Sequence, residues 1–207
     1  MDEEEMTPGI FVELMNQFYH LNWMMGSGGG MAAICTAENQ VFYSPSSVQK
    51  ERMKESDLFV LSATDGTLLK RPPNDKIKES ACTPVFNLFI NLTDAQSFSR
   101  QYFEISDQEM IKGVLNRQTN KAYSNFDRLV VPIIENSPQE YMLLPALKDV
   151  LREFPETCGV LVRNHGFFCW ATSWQRTKIM LECYEYLFEL ACSMIQNGLP
   201  VVKSITI

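Results

Sequence analysis

The side chains able to do chemistry fall in a few short stretches. His165, one of two histidines, lies in Gly159-Val-Leu-Val-Arg-Asn-His-Gly-Phe-Phe-Cys-Trp170. Apolar runs lead up to it and away from it. Two short strands meeting at His165-Gly166 would hold an imidazole at a sheet edge, with the glycine leaving space beside it. Such a residue is either a histidine in a hairpin turn or a metal ligand. Upstream, Gly26-Ser-Gly-Gly-Gly30 suits neither a helix nor an ordinary strand. Its backbone N–H groups can converge on an anion, or it is a plain turn. Ser44-Pro-Ser-Ser-Val-Gln-Lys-Glu-Arg52 adds the hydroxyls of Ser44, Ser46 and Ser47, with Lys50 and Arg52 close behind. These groups bind phosphate esters, or they form a serine-capped turn into a short helix. A short hairpin joins the two loops and places them close together, which favours a shared phosphate site. Cys82 precedes Thr83-Pro84 and by itself reads as a core thiol. Glu109 by itself closes a capping box, Ser106-Asp-Gln-Glu109.

The elements that must position these groups can be read in order. Residues 1–6 read as a disordered acidic tip. Thr7-Pro8 caps a helix whose inner face is Phe11, Leu14, Met15 and Phe18, extending to Leu21 and Asn22. His20 falls near its end, where it sits beside helix carbonyls rather than on a metal. Strands at 31–35 and 40–43 form a hairpin, and strands at 57–62 and 67–70 turn at Asp65-Gly66. Residues 75–92 read as a helix that Pro84 kinks or truly begins. The stretch 90–105 has no clear period. A short helix follows Ser106, residues 114–127 read as a polar loop, and Arg128–Ile134 is a buried strand in which Pro132 implies an edge or bulge. A second capping box, Ser137-Pro-Gln-Glu140, opens a helix to about Phe154. After the strand pair around His165, Thr172-Ser173 caps a long helix over 174–196, with Ile179, Cys183, Tyr186, Leu187, Leu190 and Met194 on its inner face. This pattern predicts one α/β domain over 1–207, a largely antiparallel sheet flanked by helices.

Composition excludes several classes. The chain has 207 residues, 45% of them hydrophobic, and a net charge of −7 with no basic block. Nucleic acid is therefore not an expected partner. No apolar run reaches the length of a membrane span, and the acidic start is unlike a signal peptide, so no membrane is expected and the cytoplasm is. The six cysteines form no Cys-x-x-Cys pair, in keeping with free thiols in a reducing compartment.

Taken together, these stretches resemble the class II aldolase/adducin family, from about Phe18 to Gly198. The resemblance rests on Phe18-Tyr-His-Leu-Asn-Trp23 with the glycine loop, Pro45-Ser-Ser-Val-Gln-Lys-Glu-Arg52, Cys82-Thr-Pro84, Gln108-Glu-Met-Ile-Lys-Gly113, Val130-Val-Pro-Ile-Ile-Glu-Asn136, Arg163-Asn-His-Gly166 and Cys183-Tyr-Glu-Tyr-Leu-Phe188. The Gln-Lys-Glu-Arg, Gln-Glu-Met-Ile-Lys-Gly and Val-Pro-Ile-Ile-Glu-Asn runs point to its dehydratase branch rather than to its aldolases. The resemblance implies an α/β/α sandwich and a zinc-dependent lyase, assembled as a homotetramer, that eliminates water beside the ketone of a sugar phosphate. It makes Glu109 the catalytic acid/base and Cys82 a substrate contact. Gly28 and Gly29, with Ser46, Ser47 and Lys50, become the phosphate cradle, and His165 the third zinc ligand.

The sequence also departs from the family pattern, at Ala171 in place of a glycine after the tryptophan and at two further places. The family carries a His-x-His pair between the Cys-Thr-Pro segment and the Gln-Glu-Met-Ile-Lys-Gly segment, and this chain has no histidine there and a shorter interval. Asp94 and Gln96 are weak stand-ins. Ser47 replaces a glycine usual in the Pro-Ser-Gly turn. The expectation is weak zinc binding and little activity. The alternatives are a non-catalytic relative, a truncated splice form lacking the His-x-His ligands, or an aldolase of the same fold.

Overall fold

The computed structural model describes residues 4–90 and 101–203. The chain divides into two compact units, Met1–Asn91 with Gln139–Tyr141, and Leu92–Pro138 with Met142–Ile207.

The first unit opens with helix α1, Pro8–His20. Thr7 Oγ1 accepts from the Ile10 N–H at 3.2 Å, and proline occupies the first turn, where its missing N–H costs nothing. Phe11, Leu14, Met15 and Phe18 are buried as their spacing predicts, whereas Leu21 and Asn22 lie past the helix and are exposed. Strands β1 (Ala32–Cys35), β2 (Gln40–Tyr43), β3 (Phe59–Ser62) and β4 (Leu68–Lys70) follow as an antiparallel sheet in chain order. Phe11 meets Phe42 edge-on at 6.4 Å, so α1 covers a face of this sheet. The unit closes with helix α2, Thr83–Ile90.

Two readings of this unit are corrected. The acidic tip is not loose at residues 5 and 6: Glu5 accepts from Thr36 Oγ1 and the Ala37 N–H, and Met6 is buried. The helix expected over 75–92 begins only at Thr83, with turns and an isolated bridge between Pro45 and Glu79 before it. Pro84 therefore marks the first turn rather than a kink, because a ring without an N–H is tolerated there and not further in.

The second unit holds strands β5 (Tyr102–Ser106), β6 (Leu115–Asn116), β7 (Lys121–Ala122) and β8 (Arg128–Ile134), helix α3 (Leu144–Glu153), strands β9 (Gly159–Val162) and β10 (Gly166–Cys169), and helix α4 (Trp174–Gln196). Its main sheet has the order β10-β9-β8-β5, antiparallel except for the β8–β9 pair. Two parallel neighbours need a crossover, and α3 supplies it. The core gathers Ile105, Val131, Cys158, Met180, Tyr184 and Leu187 among others. Close packing demands glycine twice: a Cβ on Gly159 would lie 2.3 Å from Phe167 Cζ, and one on Gly113 would lie 2.2 Å from Cys183 Sγ.

Four expectations for this unit fail. Neither capping box forms. Ser106 ends β5 and its Oγ bonds Asp107 and the Lys203 N–H, while the 3-10 turn Glu109–Gly113 has no side-chain cap. Asp107, at φ +56, bends the chain between the two members of that box. The Ser137 N–H instead donates to Asn136 Oδ1, and α3 starts later, at Leu144. Pro132 lies in an interior strand, not an edge. Ile133 N–H donates to Gln101 O, so the Pro132 nitrogen faces the other side, where pairing with β9 starts only at Ile133. Finally, α4 buries Met180, Cys183, Tyr184, Leu187 and Ala191, while Ile179 and Tyr186 are 43% and 50% exposed, so its inner face is turned from the expected one. The polar loop over 114–127 also contains the small β6–β7 hairpin.

Candidate functional site

In the first unit Lys50 joins the expected phosphate loops. It is fully buried, and its ammonium donates to Val48 O at 3.1 Å, Ser27 O at 3.4 Å and Pro45 O at 3.5 Å. One cation thus ties the glycine loop to the serine turn through their carbonyls. Burial lowers its pKa, and the neighbouring Cys82 thiol acts in the opposite direction. The Cys82 thiol is itself pushed up by burial and, less, by Glu140, while Ser80 and Lys50 pull it down. Cys82 therefore stands beside Lys50 as a neutral thiol at neutral pH.

Ser46 and Ser47 present their hydroxyls 3.3 Å apart, with Ser47 exposed. The Ser46 N–H is taken by Lys78 O at 2.8 Å. Ser44 differs from its neighbours. It is buried, its Oγ accepts from the Met31 N–H at 3.0 Å, and its own N–H donates to Met31 O, so it pins the end of the glycine loop to the start of the serine turn. Gly28 and Gly29 are exposed at the loop, and Gly29 takes φ +73, where any Cβ would also strike Met24. Ser47 takes φ +58, a region that favours glycine. The Gly-loop and serine-turn residues read from the sequence are thus brought together around Lys50.

In the second unit Glu109 and His165 are held by different partners. Glu109 begins its 3-10 turn with its side chain 72% exposed, and Oε1 meets Lys112 Nζ at 2.7 Å. His165 lies in the turn between β9 and β10, its N–H donating to Val162 O at 3.0 Å. Its exposed ring meets Asn136 Oδ1 through Nδ1 at 2.8 Å. A Cβ on Gly166 would meet nothing within 4 Å, so the turn is open at the position after His165. Asn136 was not legible as part of this arrangement. The nearest signal is its place just after a buried strand that runs parallel to the strand preceding His165.

The residues on view do not fit a three-histidine zinc site. Catalytic zinc ordinarily takes three protein ligands and a water. The chain's two histidines, His20 and His165, fall in different units. Among the described residues no group of three or more His, Cys, Asp or Glu side chains is gathered to hold a metal ion. Asp94 and Gln96, the stand-ins considered from sequence, lie outside the described residues. Part of the 90–105 stretch lies outside them as well. Within the rest of it, β5 pairs with β8 among the described strands. All six cysteines are free, and no helix among the described residues is long and apolar enough to cross a membrane.

This arrangement of strands and helices is the class II aldolase fold. An L-fuculose 1-phosphate aldolase structure matches it with a TM-score of 0.70 at 15% identity, covering 97% of this chain and 93% of that one. The L-fuculose-1-phosphate aldolase of Thermus thermophilus matches with a TM-score of 0.54 at 13% identity, over 92% of this chain and 96% of its own. At such identities the likeness is one of fold. The family model for the Class II Aldolase and Adducin N-terminal domain matches residues 10–192, and the chain belongs to the class II aldolase/adducin family. Its sequence relatives are narrower. A Caenorhabditis elegans protein named probable methylthioribulose-1-phosphate dehydratase is 43% identical over 98% of this chain and 82% of its own length. The methylthioribulose-1-phosphate dehydratases of Mus musculus and Homo sapiens are 39% and 38% identical, each over 92% of this chain and 84% of theirs.

Proposed function

We propose that this chain binds 5-methylthioribulose 1-phosphate and eliminates water from it, giving 5-methylthio-2,3-dioxopentyl phosphate. The observation that carries this reading is 38–43% identity to dehydratases of that name over at least 92% of the chain. The glycine loop and serine turn hold the phosphate, with Gly28, Gly29, Ser46 and Ser47 facing it and Lys50 fixing the two loops to each other. Cys82, a neutral thiol, contacts the substrate without acting as a nucleophile. Glu109 takes the proton from the carbon beside the carbonyl and returns it to the neighbouring hydroxyl, which leaves as water. Its exposed carboxylate, which among the described residues meets only the half-exposed Lys112 ammonium at 2.7 Å, is open to a ligand. His165 offers an imidazole nitrogen from the β9–β10 turn.

The donors among the described residues do not fit a catalytic zinc ion. The expected behaviour is therefore slow turnover and substoichiometric zinc. The same reading places the protein in methionine salvage, in the cytoplasm, as a homotetramer. Incubation with the sugar phosphate, following the diketone by its absorbance and mass, tests the activity. Metal analysis and light scattering of the same sample test the rest. Binding of the sugar phosphate with no diketone would replace this reading with a non-catalytic relative.

A further inference from the structure

The amide of Asn136 fixes a property of His165 that the ring alone leaves open. Asn136 follows the end of β8, and His165 lies in the turn after β9. The parallel pairing of Ile134 with Val162 brings these two segments together across 29 positions of sequence. Asn136 Oδ1 is 2.9 Å from the Ser137 backbone nitrogen and 2.8 Å from His165 Nδ1. The Ser137 N–H can only donate, so the amide atom facing it is the carbonyl oxygen. That oxygen can only accept, so Nδ1 must carry a hydrogen. A neutral imidazole has a single N–H, and Nε2 is then the nitrogen with the free electron pair.

The surroundings hold this geometry. The His165 N–H is tied to Val162 O and Asn164 takes φ +55. Next to them, Arg163 Nε donates to Glu135 Oε1 at 2.9 Å and the Arg163 N–H to Ile134 O at 3.0 Å, so the turn is fastened to the chain around Asn136.

We propose that Asn136 is a positioning residue that holds His165 in its Nδ1–H tautomer, so that Nε2 presents the electron pair to the ligand at the exposed turn. This rests on the proposed function only for its effect on turnover. The tautomer itself is a property of the free protein.

With two histidines in the chain, the test is direct. Nitrogen-15 spectra of histidine-labelled protein, recorded at a pH where the rings are neutral, contain two ring patterns, and His20→Gln assigns them. The expected result is a pyrrole-type Nδ1 and a pyridine-type Nε2 for His165. Asn136→Leu removes the acceptor and should shift the ratio toward the Nε2–H form by roughly three- to tenfold, the worth of one exposed hydrogen bond. Asn136→Asp keeps the oxygen and should restore the native pattern. A cooperative urea transition and a far-ultraviolet circular dichroism spectrum like those of the native protein show that each variant is folded. A pyridine-type Nδ1 in the native protein, or an Asn136→Leu pattern identical to native, overturns the proposal. Absence of sugar-phosphate turnover in a protein with the Nδ1–H pattern sinks the proposed function and leaves this inference standing. Full turnover with the other tautomer does the reverse.

Discussion

Replacing Glu109 by glutamine separates a catalytic carboxylate from a surface one. Glu109 is 72% exposed and, among the described residues, makes one ion pair, to Lys112 three residues on, whose own side chain is 51% exposed. Exposed pairs of this kind contribute roughly 0–1 kcal/mol. Glutamine keeps the shape and one oxygen, so the change in stability should stay within about 0.5 kcal/mol. For a chain of this size that is a shift in Tm of no more than about 2 °C. The catalytic consequence is of another order. Loss of a positioned acid/base costs about 10²–10⁴ in rate, equivalent to roughly 2.7–5.4 kcal/mol of barrier. The assay is diketone formation from 5-methylthioribulose 1-phosphate, paired with thermal unfolding of the same preparation. Lys112→Met serves as the control, because it breaks the same ion pair while leaving the carboxylate. It should match Glu109→Gln in stability and keep activity within a few-fold. If Glu109→Gln retains its activity to within a few-fold, the assignment of Glu109 is wrong. If it loses activity together with several degrees of Tm, the residue acts through the fold and the assignment fails as well.

Ser47→Gly should stabilise the chain by about 0.5–1 kcal/mol. It relieves a left-handed conformation at φ +58 that costs an L-residue about 1–2 kcal/mol, less the added freedom of glycine in the unfolded chain, and urea unfolding would register it. Gly113→Ala should destabilise by about 1–3 kcal/mol, because its Cβ would lie 2.2 Å from the buried Cys183 Sγ, and the same urea titration reads the loss. Burial raises the Cys158 thiol from 9.0 to about 11. A group whose folded pKa is raised contributes stability that is fully present below its unfolded pKa and disappears as the pH climbs through its folded one. Native protein should therefore lose up to about 2 kcal/mol relative to Cys158→Ala between pH 8 and about pH 10.5, measured by denaturant midpoints at each pH.

Much of the scaffold was written locally. Thr7-Pro8 and Ser173 carry their capping signals beside the helices they start, and α1 and α4 begin where those signals stand. The bounds of β8, Arg128–Ile134, follow from one buried apolar run. The β1–β2 hairpin follows from its turn residues, including Asn39 at φ +53. What failed depended on partners distant in sequence. The inner face of α4 is chosen by what it packs against, with Tyr184 against Phe167 at 4.8 Å and Cys183 against Gly113, and spacing alone left neighbouring faces nearly equivalent. The capping boxes match in letters, but Asp107 and Asn136 offer the chain other hydrogen bonds there. At the candidate site the residue types of the glycine loop and the serine turn were legible. The burial of Lys50 was not, since lysine is rarely buried and its partners here are carbonyls from two loops. The Asn136–His165 contact was invisible because it needs the parallel β8–β9 pairing.

The decisive measurement is product formation from 5-methylthioribulose 1-phosphate by the purified chain, at saturating substrate, against Glu109→Gln as the background. The proposed dehydratase gives diketone above that background, slowly, with substoichiometric zinc in the active sample. No diketone above the Glu109→Gln level would contradict it.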